Sequence, residues 1–378
     1  MQNTKNNYLS YIEISKNNLI HNIKQFRSIA SPKTKIVAVL KSNAYGHGQN
    51  IVAKILEPYA DYFQVNSIEE LELLRKVSKK KTLLFGYVQS SDIKKAIKIG
   101  CILSVFSLSH LTSISAIAES GAKVQEVHLA VDAFLGREGT LLSDLPEFFR
   151  EIKKCKYVKL TGIYAHFANI EDTHNLSHSK KQISAYKVAI GLAKEYGFKN
   201  LQTHISATSG LMIYEKNQNI NSLVRLGIGI YGLWPAEHLK KSVKINLKPV
   251  LAWKTKVAQI KTLPKGHTIG YGLTYKTKKE TKVAIIPQGY GDGLDRRLSN
   301  KGEFLIGGKR CKILGRVMMN MCVVDVSYLP KVKAEDEVVI LGKQLKNKIS
   351  AEDLAEKMGT INYEITTRLS ALLPRVVV

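Results

Sequence analysis

No apolar run in this chain approaches the ~20 residues needed to span a bilayer. The opening stretch, MQNTKNNYLSYIEIS, also lacks the apolar centre of a signal peptide. A soluble protein that stays in the cytoplasm, with no membrane partner, is the expectation. Cysteine is scarce. The four present, Cys101, Cys155, Cys311 and Cys322, show neither CxxC nor metal-ligand spacing, which excludes a zinc ribbon or a disulfide scaffold and suits a reducing compartment. Acidic residues are outnumbered, 31 against 57 lysines and arginines, for a formal net charge of +26. Yet the chain has no arginine-rich tail, no aromatic-interleaved basic strand and no zinc-finger spacing. Its densest cluster, Lys79-Lys80-Lys81, lies between an amphipathic segment and a strand. The charge therefore reads as a lysine bias of the whole proteome, and no nucleic-acid partner is expected. Internal repeats, low-complexity segments and a disordered tail are also missing.

What is present is ordinary for a globular protein. Hydrophobic residues make up 44% and charged residues 23% of 378, enough for one large barrel or two ordinary domains with a sizeable core. From about residue 15 to 232, apolar strands alternate with amphipathic helices. Strands are predicted at 36–40, 62–66, 82–87, 102–106, 127–132, 159–165, 202–206 and 223–227. Helices are predicted at 17–29, stopped by Ser31-Pro32, and at 177–196, followed by Gly197. Eight strands with alternating helices match a (β/α)8 TIM barrel, with a doubly wound sheet as the other possibility. Lys41, Asp132 with Arg137, His166, Thr208 and Arg225 all fall at or just past strand C-termini, where barrel active sites sit, and this favours the barrel.

After a crossover at 233–249 the pattern changes to strands without long helices between them. They are predicted at 250–260, 281–286, 303–306, 311–326 and 337–341, with Gly307-Gly308 as a two-residue hairpin turn. One short helix follows, with Ser350 as N-cap, Asp353 three residues on and Gly359 as its stop. The fold class is thus α/β: an N-terminal barrel over 10–240 and a C-terminal, mostly-β domain over 241–378, joined by residues 1–9.

The chain is organised around Val37-Ala38-Val39-Leu40-Lys41-Ser42-Asn43-Ala44-Tyr45-Gly46-His47-Gly48. An apolar strand closes on a lysine, and a polar turn leads into an amphipathic helix. Such a lysine either points to solvent or sits desolvated in a site, where its lowered pKa suits Schiff-base chemistry. The order V-x-K-x-N-A-Y-G-H-G resembles the pyridoxal-phosphate (PLP) lysine motif of alanine racemases. Eight further segments resemble that family in its order. They include Tyr164-Ala165-His166-Phe167-Ala168, His204-Ile205-Ser206-Ala207-Thr208-Ser209, Thr268-Ile269-Gly270-Tyr271-Gly272 and Gly289-Tyr290-Gly291-Asp292-Gly293. The segment Arg225-Leu226-Gly227-Ile228-Gly229-Ile230-Tyr231-Gly232 also contains a formal GxGxxG. No helical pattern and no acidic residue about 20 positions on follow it, so a dinucleotide site is excluded.

The resemblance implies a PLP-dependent racemase in which Lys41 holds the cofactor and is the base on one face, while Tyr271 serves the other. Tyr271 would reach the barrel site of the other subunit, implying a head-to-tail homodimer. Arg225 would hydrogen-bond the pyridine nitrogen, oriented by His166. Its pKa is too high to protonate that nitrogen, which weakens the electron sink and disfavours side reactions such as transamination. The phosphate would be held by Tyr45, Thr208 or Ser209, and the amides of Gly227 and Ile228. Arg137 and the Met319 amide would lie near the substrate carboxylate, with Tyr290 lining the approach. His128, His166 and His204 could suggest a barrel metal site, but carboxylates are few and no metal is expected.

Four positions depart from the family. Ala130 stands where many members have a lysine, carbamylated in some, that supports the equivalent of Arg137, so that support must come from elsewhere. Asn320 replaces an Asp and Met318 a Cys. Ala371 replaces a tyrosine that touches the phosphate and narrows the pocket. The expected substrate is the amino acid alanine and the purpose D-alanine for peptidoglycan. A broader-specificity racemase acting on serine or larger side chains is the alternative. A PLP-binding regulator on the same barrel usually lacks the second domain.

Overall fold

The computed structural model describes residues 8–171, 173–218 and 220–378. The chain divides into two compact units. One comprises Ile20–Ala44 and Val52–Leu247. The other comprises Tyr45–Ile51, Lys248–Val378 and the described residues up to Leu19. Strand β1 (Tyr11–Ile14) belongs to the latter.

The first unit carries eight parallel strands: β2 (Lys35–Val39), β3 (Tyr62–Val65), β4 (Thr82–Leu84), β5 (Ile102–Val105), β6 (Gln125–Ala130), β7 (Val158–Tyr164), β8 (Gln202–His204) and β9 (Leu223–Leu226). They pair in sequence order from β2 to β8, and β9 lies beside β2. The ends are drawn together outside the regular ladder, Ser222 N–H donating to Thr203 O (2.8 Å) and Arg225 N–H to Ser206 O (3.1 Å). This circular order makes the nearly closed barrel. A doubly wound sheet would reverse its order at a switch point instead. Val37, Tyr62, Leu83, Ile102 and Leu223, one from each of five strands, form a buried apolar cluster with Phe85 packed against it. The helices expected at 17–29 and 177–196 are found at Lys16–Ile29 and Ser177–Glu195.

The second unit is mostly β. Strand β1 pairs antiparallel with Leu251–Lys256 and parallel with Arg375–Val377. Residues 10–19, assigned to the barrel from the sequence, cluster here because β1 finds both its ladder partners here. The sheet continues through Glu337–Gln344, Glu303–Ile306 and Lys309–Lys312. Gly307 and Gly308, at φ 56° and 74°, make the tight hairpin turn the sequence predicts, with Ile306 facing Lys309. A second sheet joins Gln259–Leu263, Thr281–Ile286 and Cys322–Asp325.

Three predicted elements differ. The strand expected at 250–260 splits at Val257-Ala258, its halves entering different sheets. That expected at 311–326 is interrupted by a turn in which Met318 N–H donates to Met321 O (3.0 Å). The single expected helix is two, Ala351–Met358 and Asn362–Thr367. Ser350 and Asp353 form the expected capping box, and Gly359 at φ 66° ends the first helix.

Candidate functional site

Lys41 follows directly on β2, after the fully buried Leu40. Leu40 N–H still donates to Gln64 O (2.7 Å), so the strand holds the lysine's backbone to the last residue before the turn. Ser42, Asn43, Ala44 and Tyr45 then all lie at φ 53–54°, in the left-handed region. For L-residues that region costs about 1–2 kcal/mol each. Strain of that kind persists only where neighbours over-determine it. Ala44 N–H donates to Leu40 O (2.8 Å), and Ser42 N–H to the Glu70 carboxylate (2.6 Å). Burial, and after it the charge of Arg137, lowers the pKa of Lys41.

Arg225, on β9, is buried at the same end of the barrel. Its Nη1 donates to His204 Nδ1 (2.5 Å) and His204 O (2.9 Å). Its Nη2 donates to Ala165 O (2.9 Å) and His166 Nδ1 (3.0 Å). The guanidinium also lies 5.4 Å from the ring centre of Phe85 and 5.6 Å from that of Tyr164, in cation–π range. Tyr164 stacks on His204 with 7° between their planes, and its hydroxyl meets Ser104 Oγ at 2.5 Å. Burial brings the arginine's pKa down to about 10, which leaves it charged at neutral pH.

Behind Arg225, His204 Nε2 meets His128 Nδ1 at 2.9 Å, with both rings fully buried. His128 occupies space that only a glycine leaves open on β7. A Cβ on Gly162 would stand 2.5 Å from His128 Nε2. The two histidines thus spend ring nitrogens on each other and on Arg225. Among the described residues no group of three or more His, Cys, Asp or Glu is placed to hold a metal ion.

Thr208 opens the helix Thr208–Gln218, and Gly227 precedes a 3-10 turn at Ile228–Tyr231. The two starts meet where Gly229 N–H donates to Thr208 Oγ1 (3.4 Å). Thr208 and Ser209 are both buried, and Ser209 Oγ has no hydrogen-bond partner among the described residues. Buried polar atoms are rarely left so. An orphan hydroxyl at a helix N-terminus fits an anionic phosphate, which both the helix dipole and the free donor favour.

Arg137 sits in the loop after β6, where Asp132 Oδ1 accepts the N–H groups of Leu135 (2.8 Å) and Gly136 (3.0 Å). Ala130, on β6, offers it no charge. Glu138 does: Arg137 Nε and Nη2 donate to its two oxygens at 2.5 and 2.8 Å. Sequence reasoning left that partner unnamed, because an adjacent glutamate in a loop carries no signal of its own. It also passed over Phe85 and Glu70.

Tyr45, Tyr271, Tyr290, Met319, Asn320 and Ala371 belong to the β unit. Tyr45 lies 6.2 Å from Tyr363, ring to ring. Tyr290 N–H donates to Met318 O (3.0 Å) and Gly291 N–H to Met319 O (2.8 Å). Asp292 Oδ2 accepts from Gly289 N–H (2.9 Å) and Asn320 Nδ2 (3.5 Å), while its carbonyl accepts from Ser370 N–H (3.1 Å). These bonds gather Tyr290, Met319, Asn320 and the neighbour of Ala371 into one patch. Tyr271 is 71% exposed, and the Arg316 guanidinium lies against Gly272 beside it.

Residues 14–235 match the family model "Alanine racemase, N-terminal domain", and residues 250–377 match "Alanine racemase, C-terminal domain". The chain is 38% identical to an alanine racemase of Leptospira interrogans, over 99% of this chain and 97% of that one. It is 37% identical to an alanine racemase of Methanococcus maripaludis, over 97% and 98%. Among solved structures, the alanine racemase of Clostridium difficile 630 superposes with a TM-score of 0.92 at 30% identity, covering 98% of this chain and 96% of that one. The alanine racemase from Bacillus anthracis with bound L-Ala-P gives 0.92 at 31% identity, covering 98% and 95%.

Proposed function

The chain belongs to the alanine racemase family, and on that premise we propose that it interconverts L- and D-alanine with pyridoxal 5'-phosphate held at Lys41. Pyridoxal 5'-phosphate held there would supply an electron sink for the deprotonation of the substrate's α-carbon. Lys41 Nζ moves that proton on one face, and a lowered pKa suits it to act as a base. The Tyr271 hydroxyl of the partner subunit moves it on the other. Arg225 hydrogen-bonds the ring nitrogen and keeps its own proton, being fixed by His166 and His204. The hydroxyls of Thr208, Ser209 and Tyr45, with the amides of Gly227 and Ile228, hold the phosphate. Arg137 and the Met319 amide take the substrate carboxylate, Tyr290 and Asn320 flank it, and Ala371 leaves room beside the phosphate.

The observation that carries this reading is Arg225, a charged group buried with every named partner an acceptor or a ring face. Such a cation is held for a task at the strand ends. A head-to-tail homodimer is supported by the exposed Tyr271, Leu273, Tyr290, Met319 and Met321 on the β unit. D-alanine for peptidoglycan places the enzyme in the cytoplasm, and no described helix is long and apolar enough to cross a membrane. The test is borohydride reduction of the PLP-loaded protein followed by peptide mapping. The cofactor should be found on Lys41, and racemisation of L-alanine followed by circular dichroism should be lost in K41A.

A further inference from the structure

The sequence Ser67-Ile68-Glu69-Glu70 has the form of a capping box at the start of the helix Ile68–Arg75. Half of the box is made: Ser67 Oγ accepts the Glu70 N–H (3.3 Å). In the ordinary box the glutamate would reach back to the N–H of Ser67. Glu70 does something else. Its Oε2 accepts the N–H of Asn66 (2.7 Å), just past β3, and its Oε1 accepts the N–H of Ser42 (2.6 Å), just past β2 and Lys41. One half-buried carboxylate thus ties the ends of two neighbouring barrel strands together. It does so at the first residue of a run of four left-handed L-residues. That run is strained in isolation, and its first N–H is held by a charge-assisted bond.

The geometry points to Glu70 as a positioning residue for Lys41: it clamps the left-handed turn that aims the lysine. This rests on the proposed role of Lys41. The charged groups that act on Lys41 are Arg137 and Arg225, which favour the neutral amine, and Glu70 and Glu138, which favour the ammonium. Removing the Glu70 charge therefore leaves the two arginines opposed by Glu138 alone.

The experiment uses the PLP-loaded enzyme with E70Q, E70D and wild type, following kcat and KM for L-alanine against pH, thermal stability, and the pH dependence of the cofactor's absorption band. E70Q keeps the length and loses the charge. Its kcat should fall about 10- to 100-fold, as a misaimed catalytic group does, with KM changed less than about twofold. The acid limb of its kcat profile should move to lower pH. E70D keeps the charge and loses the reach, so it should return the acid limb to the wild-type position while kcat stays low. Wild-type kcat and pH limb in E70Q would overturn the proposal, as would losses in both variants that merely track thermal stability. Should E70Q fail to fold, E70D decides, because wild-type kcat there shows that the clamp's reach is not needed. Borohydride mapping of wild type separates the two levels: cofactor on Lys41 with indifferent Glu70 variants overturns the clamp alone. An unlabelled Lys41 overturns the functional reading, and the clamp with it.

Discussion

Arg225 donates to Nδ1 of His204 across 2.5 Å, and a guanidinium has no lone pair with which to accept in return. His204 must therefore carry its proton on Nε2. That nitrogen faces Nδ1 of His128 at 2.9 Å, so His128 accepts there and keeps its own proton on Nε2. One arginine thus sets the tautomers of two buried rings, and both remain neutral. The chain supplies Arg225 with acceptors from two neutral rings and from backbone carbonyls.

Replacing His204 by leucine leaves an Arg225 N–H buried without an acceptor. Hydrogen bonds to charged groups contribute about 1.5–3 kcal/mol, and a stranded donor costs its desolvation. Urea unfolding of H204L should show a loss of about 2–4 kcal/mol. A loss under ~1 kcal/mol would mean that Arg225 finds another partner.

Burial lowers the pKa of His128 to about 3 and that of His204 well below the ordinary value. The unfolded chain binds protons at these rings near pH ~6.5, while the folded chain does not. Their contribution to stability is complete above that pH and is lost as pH falls toward about 3. Each ring costs about 1.4 kcal/mol per pH unit through that window. Unfolding free energies at pH 7.5 and 5.5 should show the decline in wild type and a shallower one in H128L. Equal slopes would mean that the His128 ring takes up a proton while folded.

Ser209 should give effects of opposite sign. Its orphan hydroxyl costs about 1–3 kcal/mol in the ligand-free protein, so S209A should be more stable than wild type before PLP is added. The same substitution should weaken PLP roughly tenfold, or ~1.4 kcal/mol. Calorimetric melting of the apo protein and a PLP titration measure the two separately. Destabilisation of the apo protein by S209A would contradict the assignment.

Glu138 is the carboxylate that pairs with Arg137. Without it Arg137 keeps its charge and loses the bidentate partner that orients it. E138Q should raise KM for L-alanine about 5- to 20-fold and change kcat less. A kcat defect at unchanged KM would show that Glu138 acts on the chemical step and not on carboxylate binding.

Much of the fold was legible because barrel strands are apolar and regularly spaced. All eight predicted barrel strands begin within two residues of the observed ones, and five begin at the same residue. The β domain read less well, since a turn such as 313–321 lies inside an otherwise apolar stretch and breaks it through tertiary bonding. The pairing of Tyr11–Ile14 was not legible either, because its ladder partners, Leu251–Lys256 and Arg375–Val377, lie more than 200 positions away. In the candidate site, His166 and Arg225 were named from sequence because they lie inside compact motifs, and the structure sets them 3.0 Å apart. Glu70, Phe85 and Glu138 were not named. Their meaning lies in what they touch across the barrel or along a loop, and a one-dimensional pattern does not record it.

Proton NMR of Cα–H exchange in D₂O, with the PLP-loaded protein and a panel of L-amino acids, follows the very proton that racemisation must remove. The alanine Cα–H signal should be lost fast, exchange for serine and larger side chains should be much slower, and K41A should show none. Absence of alanine exchange with PLP bound at Lys41 would contradict the proposed racemisation of alanine.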